Sequence, residues 1–210
     1  MFEQFATRFA VLPAQQAAGS PWHDPRLTVA TGYSELAERF AGCAFENGLY
    51  RLHDATTGPR CAALVNEAFP AFAARACPFA FDWLGRQFAL DSGRLDGSEP
   101  LVLLLEPGTG EALEVPLSFA AFHEQLDELR EPALAAAFFA DWAAANPDCV
   151  PLASEQCAGY RVPLFLGGRD VVDNLEVSDI DVYWSLCAQL SHGTSVLPPG
   201  TSIGSVSADA

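Results

Sequence analysis

Apolar and polar positions alternate with a period of two through the middle of the chain. Residues 49–53 alternate in this way, as do residues 79–83 and then 87–90 after Gly85. This period predicts a short strand, then a turn at 54–59, "DATTGP", and later two strands that meet at Gly85. The polar segment 91–100, "DSGRLDGSEP", is expected to be the loop to the next strand. The region therefore reads as an antiparallel meander.

The stretch "LVLLLEPGTGEALEVP", residues 101–116, fits either a phosphate-binding glycine loop or a hairpin. A phosphate loop places backbone N–H groups at a helix N-terminus and usually adds a lysine. Here the residues after Gly110 continue as a strand, and Glu111 and Glu114 bring negative charge. The four residues Pro107–Gly110 are therefore predicted to be a hairpin turn.

The apolar period changes to 3.6 beyond this hairpin. Ser118 is a predicted N-cap, a second helix opens at Pro132, and Asn146 ends it. An earlier helix with the same period is predicted between a capping Ser34 and Gly42.

The last part of the chain mixes both periods. Strands are predicted at 164–166 and 174–177, with a Gly-Gly turn between them. Ser178 and Asp181 have the spacing of a capping box, so a final helix is expected to follow and to end at residues 192–193.

Together these elements predict an α+β protein, an antiparallel sheet with helices packed against it. We divide the chain into an N-terminal segment 1–24, a part 25–76, a part 77–192 and a Pro-, Ser- and Gly-rich tail 193–210 that we expect to be flexible. Composition hardly changes near residue 77, so one domain and two closely packed subdomains both remain open.

The charge balance adds a functional constraint. The chain has 27 acidic and 11 basic residues and a formal net charge of -16. Such a chain repels nucleic acid and anionic membranes, and it attracts cationic protein surfaces. It begins without the pattern of a signal peptide and has no apolar run of about 20 residues. We therefore expect a cytoplasmic protein whose partner is neither nucleic acid nor membrane.

Cysteine, histidine and tryptophan offer candidate chemistry. The six cysteines form no C-x-x-C pair and are expected to be reduced and mostly buried, and Trp83, Trp142 and Trp184 are expected to be core residues. His123, in "FHEQLDEL", is expected on a solvated helix face. "HEQLD" lacks the second histidine of a zinc site and "DNLEVSDID" lacks calcium-loop spacing, so we expect no metal and no cofactor.

Four segments carry a family resemblance: "FDWLGRQFALD", "LLEPGTGEALEVP", "FFADW" and "GYRVPLFLGGRDVVDNLEVSDIDVYWSLCAQL". They are similar to the C-terminal domain family of bacterial type VI secretion immunity proteins, first known as a domain of unknown function. The preceding "GLYRLHDA" resembles its companion, the GAD-like domain. The resemblance covers residues 25–192, with the GAD-like part at 25–76 and the immunity-type domain at 77–192.

This resemblance implies a cytosolic antidote that binds and neutralises a toxin, a DNase in the best-known case, delivered between neighbouring bacteria. It supplies no catalytic motif, so we expect a non-enzymatic protein whose acidic surface covers a basic groove of the toxin. The candidate partner-binding residues are Asp170, Asp173, Glu176, Asp179 and Asp181. Two alternatives stay open, a small hydrolase with a Cys/His site and a housekeeping interaction scaffold, as does the oligomeric state.

Overall fold

The structure, a computed structural model, describes residues 1–11 and 19–195. Nearly all of the tail predicted at 193–210 therefore lies outside the described residues. Six strands form one sheet in chain order, and each pairs antiparallel with the next. They are β1 (Ala44–Phe45), β2 (Tyr50–Leu52), β3 (Ala76–Asp82), β4 (Gln87–Asp96), β5 (Glu99–Glu106) and β6 (Glu111–Ser118). The predicted α+β class and the meander are confirmed.

The hairpin turns follow the glycines, with one difference. Gly85 has φ 77° between β3 and β4, as the sequence predicts. The predicted loop at 91–100 is wrong, because β4 continues through a bulge to Asp96 and β5 begins at Glu99. The buried Asp91 is tolerated in the strand because its Oδ1 accepts a 2.6 Å hydrogen bond from Arg75 Nε.

A second, two-stranded antiparallel sheet pairs β7 (Gln156–Tyr160) with β8 (Leu175–Asp179). The strand predicted at 174–177 is thus confirmed within one or two residues, and β7 was not predicted. The strand predicted at 164–166 is wrong, because these residues form a 3-10 turn. There the N–H groups of Leu164 and Phe165 donate to the carbonyl of Gly108 rather than to a neighbouring strand.

Eight helices complete the described chain: α1 (Glu3–Arg8), α2 (Pro25–Thr28), α3 (Tyr33–Phe40), α4 (Thr57–Ala68), α5 (Phe119–Gln125), α6 (Arg130–Leu134), α7 (Ala136–Ala145) and α8 (Ile180–Ser195). Ser118 caps α5 through a 3.4 Å bond from Ala121 N–H, and α7 ends before Asn146, as predicted. The helix predicted to open at Pro132 begins slightly earlier and is broken at Ala135, whose φ is 49°.

Two predictions about helices in the first third of the chain are wrong. Ser34 does not cap α3, which begins one residue earlier, after Gly32 in the left-handed region. Residues 54–59 were predicted only as a turn, but they lead into α4. Oδ1 of Asp54 accepts from the N–H groups of Thr56 and Thr57, which satisfies donors that the first helical turn leaves open.

The two faces of the six-stranded sheet carry separate hydrophobic clusters. Alternate residues Phe88 and Leu90 belong to the larger cluster, which extends from Phe2 to Leu175, whereas Ala89 belongs to a smaller cluster with α4 and α8. Residue 77, the predicted boundary, lies inside β3. The larger cluster therefore joins residues from both sides of that boundary.

Trp83 links this sheet to the C-terminal elements. It is fully buried, as are Trp142 and Trp184, so the predicted core role of these tryptophans is confirmed. Its indole N–H donates to the carbonyl of Leu134 at 2.9 Å, and its own carbonyl accepts from Ala158 N–H at 2.7 Å. One residue thereby holds α6 and β7 against the end of β3.

All six cysteines lie in the described part of the chain, and none is paired in a disulfide. Five are buried and Cys149 is partly exposed, which confirms the predicted burial of most thiols. Among residues 1–11 and 19–195, no helix is both long and apolar enough to cross a lipid bilayer.

Candidate functional site

The five acidic residues predicted to bind a partner lie along residues 170–181, from the loop before β8 to the first turn of α8. Asp179 stands between the two elements, and its Oδ1 accepts from the N–H groups of Asp181 at 2.9 Å and Val182 at 3.3 Å. Asp179 is therefore the N-cap of α8. The predicted capping box is wrong, because Ser178 lies within β8 and pairs with Cys157.

Three further acidic side chains have partners within the fold. Asp181 is half-buried and lies 3.1 Å from Arg60 Nε on α4; burial raises its pKa, and the Arg60 charge opposes the rise. Asp170 accepts a 2.7 Å hydrogen bond from the Tyr160 hydroxyl. Glu176 lies 3.5 Å from Arg161, but both side chains are exposed, and such pairs contribute little to stability.

Asp173 is exposed in the 3-10 turn Val172–Asn174, directly before β8. Asp173, Glu176 and Asp179 are thus exposed carboxylates on one continuous segment of the chain. Asp170 and Asp181, in contrast, also hold local structure, one through Tyr160 and the other through Arg60.

An apolar stripe follows the acidic residues along the outer face of α8. Val182 is 62% exposed and Leu186 is 42% exposed, and a spacing of four places them on one helix face. Asp179 precedes Val182 by three residues, on the same side. We call Asp173, Glu176, Asp179, Val182 and Leu186 the β8–α8 surface.

The inner face of α8 fixes the orientation of this surface. Tyr183, Trp184, Cys187 and Ala188 are buried, and the indole N–H of Trp184 donates to the Gly85 carbonyl at 2.8 Å. Helix α4 packs beside α8, and the Arg60–Asp181 ion pair bridges the two helices. The exposed residues of α8 therefore project from a well-anchored helix.

The glycine turn of the β5–β6 hairpin lies beneath these elements. Residues 107–110 form the predicted turn, with Gly110 at φ 73°. Gly108 has another function, because a Cβ there would lie 2.7 Å from the Tyr160 ring and 2.8 Å from the Tyr183 hydroxyl. The absent side chain lets β7 and α8 cover the turn.

The two buried histidines, His123 and His53, do not support the alternative of a Cys/His hydrolase. The prediction that His123 is solvated is wrong, because His123 is buried among phenylalanines. Its Nδ1 lies 2.9 Å from the Phe119 carbonyl and its Nε2 lies 2.9 Å from the Tyr50 hydroxyl. Burial lowers the pKa of His123 to about 4. Both ring nitrogens are thus occupied at neutral pH.

His53 is in a similar position. Its Nε2 lies 2.7 Å from Gln87 Oε1 and its Nδ1 lies 3.2 Å from Thr57 Oγ1, and burial lowers its pKa to about 4. Burial raises the pKa of the Cys61 thiol, on the neighbouring helix α4, to about 12. A nucleophilic cysteine needs a lowered pKa, so burial here acts against one.

Sequence reasoning missed three residues of this region. Val182 and Leu186 lie on a different face of α8 from the buried residues Tyr183 and Cys187. A helical projection of α8 therefore identifies them as an exposed apolar pair. Arg60 could not be found in the same way, because its pairing with Asp181 depends on the packing of α4, which was not predicted.

The fold and this site define an α+β protein whose candidate site is an exposed acidic and apolar surface. Residues 122–191 match the family described as "T6SS immunity protein Tdi1, C-terminal". The resemblance noted from the sequence is confirmed for these residues.

The fold extends beyond the matched residues to a known structure. The crystal structure of Atu4351 from Agrobacterium tumefaciens is similar, with a TM-score of 0.65, over 90% of this chain and 89% of that chain. The two sequences are 13% identical, so the likeness concerns the fold alone. The comparison with curated proteins returned no match.

Proposed function

We propose that this protein is a non-enzymatic immunity protein that binds and neutralises a cognate toxin of a type VI secretion system in the cytoplasm. The observation that carries the proposal is the match of residues 122–191 to the immunity protein family. A DNase is the toxin activity that the family resemblance suggests. Residues 25–76 are the GAD-like part in this proposal.

The β8–α8 surface is the proposed contact with the toxin. Val182 and Leu186 supply an apolar centre, and Asp173, Glu176 and Asp179 supply a negative border. Protein interfaces commonly combine an apolar centre with a polar rim, and acidic groups favour a basic partner. The net charge of -16 supports the same choice, because it attracts a basic toxin before contact. The partner is thus a protein rather than nucleic acid or membrane.

Coexpression with a candidate toxin from a gene neighbouring the one for this chain tests the proposal. We expect this chain to restore survival and to copurify with the toxin. Failure to bind or neutralise that toxin contradicts the immunity function.

Two variants locate the contact. Asp173→Asn with Glu176→Gln removes two negative charges, and Val182→Ser with Leu186→Ser removes the apolar centre. The matched control, Glu38→Gln with Glu124→Gln, removes two exposed charges from α3 and α5. We expect both test variants to stay folded and to protect less well than the control. Equal protection by all three places the contact elsewhere.

Salt dependence tests the electrostatic step. The Debye length falls from about 30 Å at 0.01 M to about 8 Å at 0.15 M salt, so association should slow markedly over this range. Dissociation should change much less, because buried contacts hold the complex. Association rates that do not depend on salt leave immunity intact but contradict steering by the acidic surface.

A further inference from the structure

A half-open cavity of about 550 Å³ lies between the short β1, the end of β2, the start of α4 and the loop 151–154. Its volume falls within the usual range for small-molecule sites, about 300–1,000 Å³. The walls include the apolar side chains of Leu52, Phe81 and Leu152. Two charged residues, Arg51 and Asp54, also line it, so the cavity presents both signs of charge beside an apolar surface.

Arg51 is the unusual member of this lining. It is only 2% exposed, and its guanidinium donates to the carbonyls of Ala153, Gln156 and Asp82 at 2.8, 2.6 and 2.9 Å. Carbonyl groups bond the cation without neutralising its charge. Within the described residues, no carboxylate forms an ion pair with Arg51, and its Nε has no hydrogen-bond partner.

This arrangement is costly for an isolated protein, because a buried cation normally requires a counter-charge. Burial lowers the pKa of Arg51 to about 10, so the side chain stays charged at neutral pH. The Phe81 ring, 4.2 Å from the guanidinium carbon, offers only partial compensation. Asp82 and Glu155 act on this charge only from beyond ion-pair distance, so a carboxylate in the cavity would be its first direct partner.

Asp54 imposes the opposite requirement on a ligand. Among residues 1–11 and 19–195, the hydrogen bonds to its carboxylate come from Thr56 and Thr57, and all of them go to Oδ1. A simple anion in the cavity would meet the Asp54 carboxylate, and a simple cation would meet Arg51. A molecule that carries both charges and an apolar body matches all three parts of the lining.

We propose that this cavity binds a free amino acid with an apolar side chain. Arg51 binds its carboxylate, Asp54 binds its ammonium group, and the wall formed by Leu52, Phe81 and Leu152 contacts its side chain. The site is separate from the β8–α8 surface and does not depend on toxin binding.

Three related probes test the charge requirement in the purified full chain. L-phenylalanine has both charges, phenethylamine lacks the carboxylate, and 3-phenylpropionate lacks the ammonium group. We expect L-phenylalanine alone to raise the Tm in a saturable manner and to give a calorimetric binding curve. Equal binding of either analogue overturns the zwitterion assignment, and no binding of L-phenylalanine overturns the proposal.

Substitutions then locate the bound molecule. Arg51→Gln should weaken binding by at least about tenfold. Because Arg51 also holds three carbonyls, a second variant, Thr56→Trp, blocks the exposed rim of the cavity and leaves Arg51 in place. Its matched control is Ala55→Trp, an exposed neighbour that does not line the cavity. Unchanged binding in folded Thr56→Trp overturns the site, as does an equal loss in the control.

Discussion

The Tyr50 hydroxyl donates a 2.9 Å hydrogen bond to Nε2 of His123 inside the larger hydrophobic cluster. The direction follows from the other ring nitrogen, because Nδ1 faces the Phe119 carbonyl, which can only accept. Nδ1 therefore carries the proton and Nε2 is the acceptor. This bond ties β2 to α5 across the core and requires a neutral imidazole.

Acid should destabilise the protein through this imidazole. The pKa of His123 is about 4 in the folded chain and near 6.5 when unfolded. Between about pH 6.5 and pH 4, His123 is protonated in the unfolded state and neutral in the folded state. The free energy of unfolding therefore decreases as the pH falls through this range. The loss for one such group is at most about 3 kcal/mol.

The variant His123→Gln keeps a polar side chain and cannot titrate in this range. Urea unfolding between pH 7 and 4 should show a smaller acid-induced loss than in the unmodified protein, with His53 still contributing its share. The exposed His23→Gln is the control and should follow the unmodified protein. A full acid loss in His123→Gln would show that this histidine is not the cause.

The buried ion pair at the β3–β4 turn should be sensitive to loss of one partner. Arg86 Nε donates to Asp82 Oδ2 at 2.7 Å, and Asp82 Oδ1 accepts from the Leu84 and Arg86 N–H groups at 3.0 Å. Arg86→Met leaves the Asp82 carboxylate buried without its counter-charge, so it should lower the free energy of unfolding by about 3–5 kcal/mol.

Chemical denaturation measures this loss, and Arg161→Met is the control. Arg161 pairs with Glu176 on the surface, so Arg161→Met should lower the free energy of unfolding by at most about 1 kcal/mol. Similar losses in the two variants would mean that burial does not determine the strength of these pairs.

Two glycine substitutions should act in opposite directions. Gly108→Ala brings a methyl group to 2.7 Å from the Tyr160 ring, so we expect the free energy of unfolding to fall by about 1–3 kcal/mol. A Cβ at Gly193, in α8, would have no neighbouring heavy atom within 4 Å. Gly193→Ala should therefore raise the free energy of unfolding by up to about 1 kcal/mol through helix propensity. Thermal unfolding of both variants suffices, and a neutral Gly108→Ala argues against the close packing at this turn.

Thiol reactivity should separate one cysteine from the rest. Cys149 is partly exposed, whereas the other five cysteines are buried. In the folded protein we expect one thiol to react rapidly with a disulfide reagent, and in denaturant without reductant we expect six. Cys149→Ser should abolish the rapid phase. Fewer than six reactive thiols in denaturant would reveal a disulfide.

Local signals made some elements predictable. The β5–β6 hairpin was predicted because Pro107–Gly110 and the flanking alternation are contiguous in the sequence. Helix α4 was missed because Gly58 and Pro59 read as a turn, yet proline is tolerated in a first helical turn and α8 stabilises this helix by packing against it. Strand β7 was missed because its partner β8 lies about 15 residues further along the chain.

The candidate sites show the same limit. The acidic residues around β8 were visible in the sequence, but their partners Tyr160 and Arg60 depend on tertiary contacts. His123 was assigned to a solvated face because charged residues flank it, and its buried partner Tyr50 is 73 positions away. Arg51 gave no signal, because a strand arginine is usually exposed and this one is covered by the loop that ends at Gln156.

Trp83 bears on which part of the chain could be transplanted as a unit. The segment that carries the family match begins at residue 122, yet Leu134 and Ala158 within it are bonded to Trp83, which lies outside it. A segment transplanted without that tryptophan leaves a buried carbonyl and a buried amide unsatisfied. The matched segment is therefore smaller than the unit that packs together, and a functional transplant should include the sheet as well as the C-terminal elements.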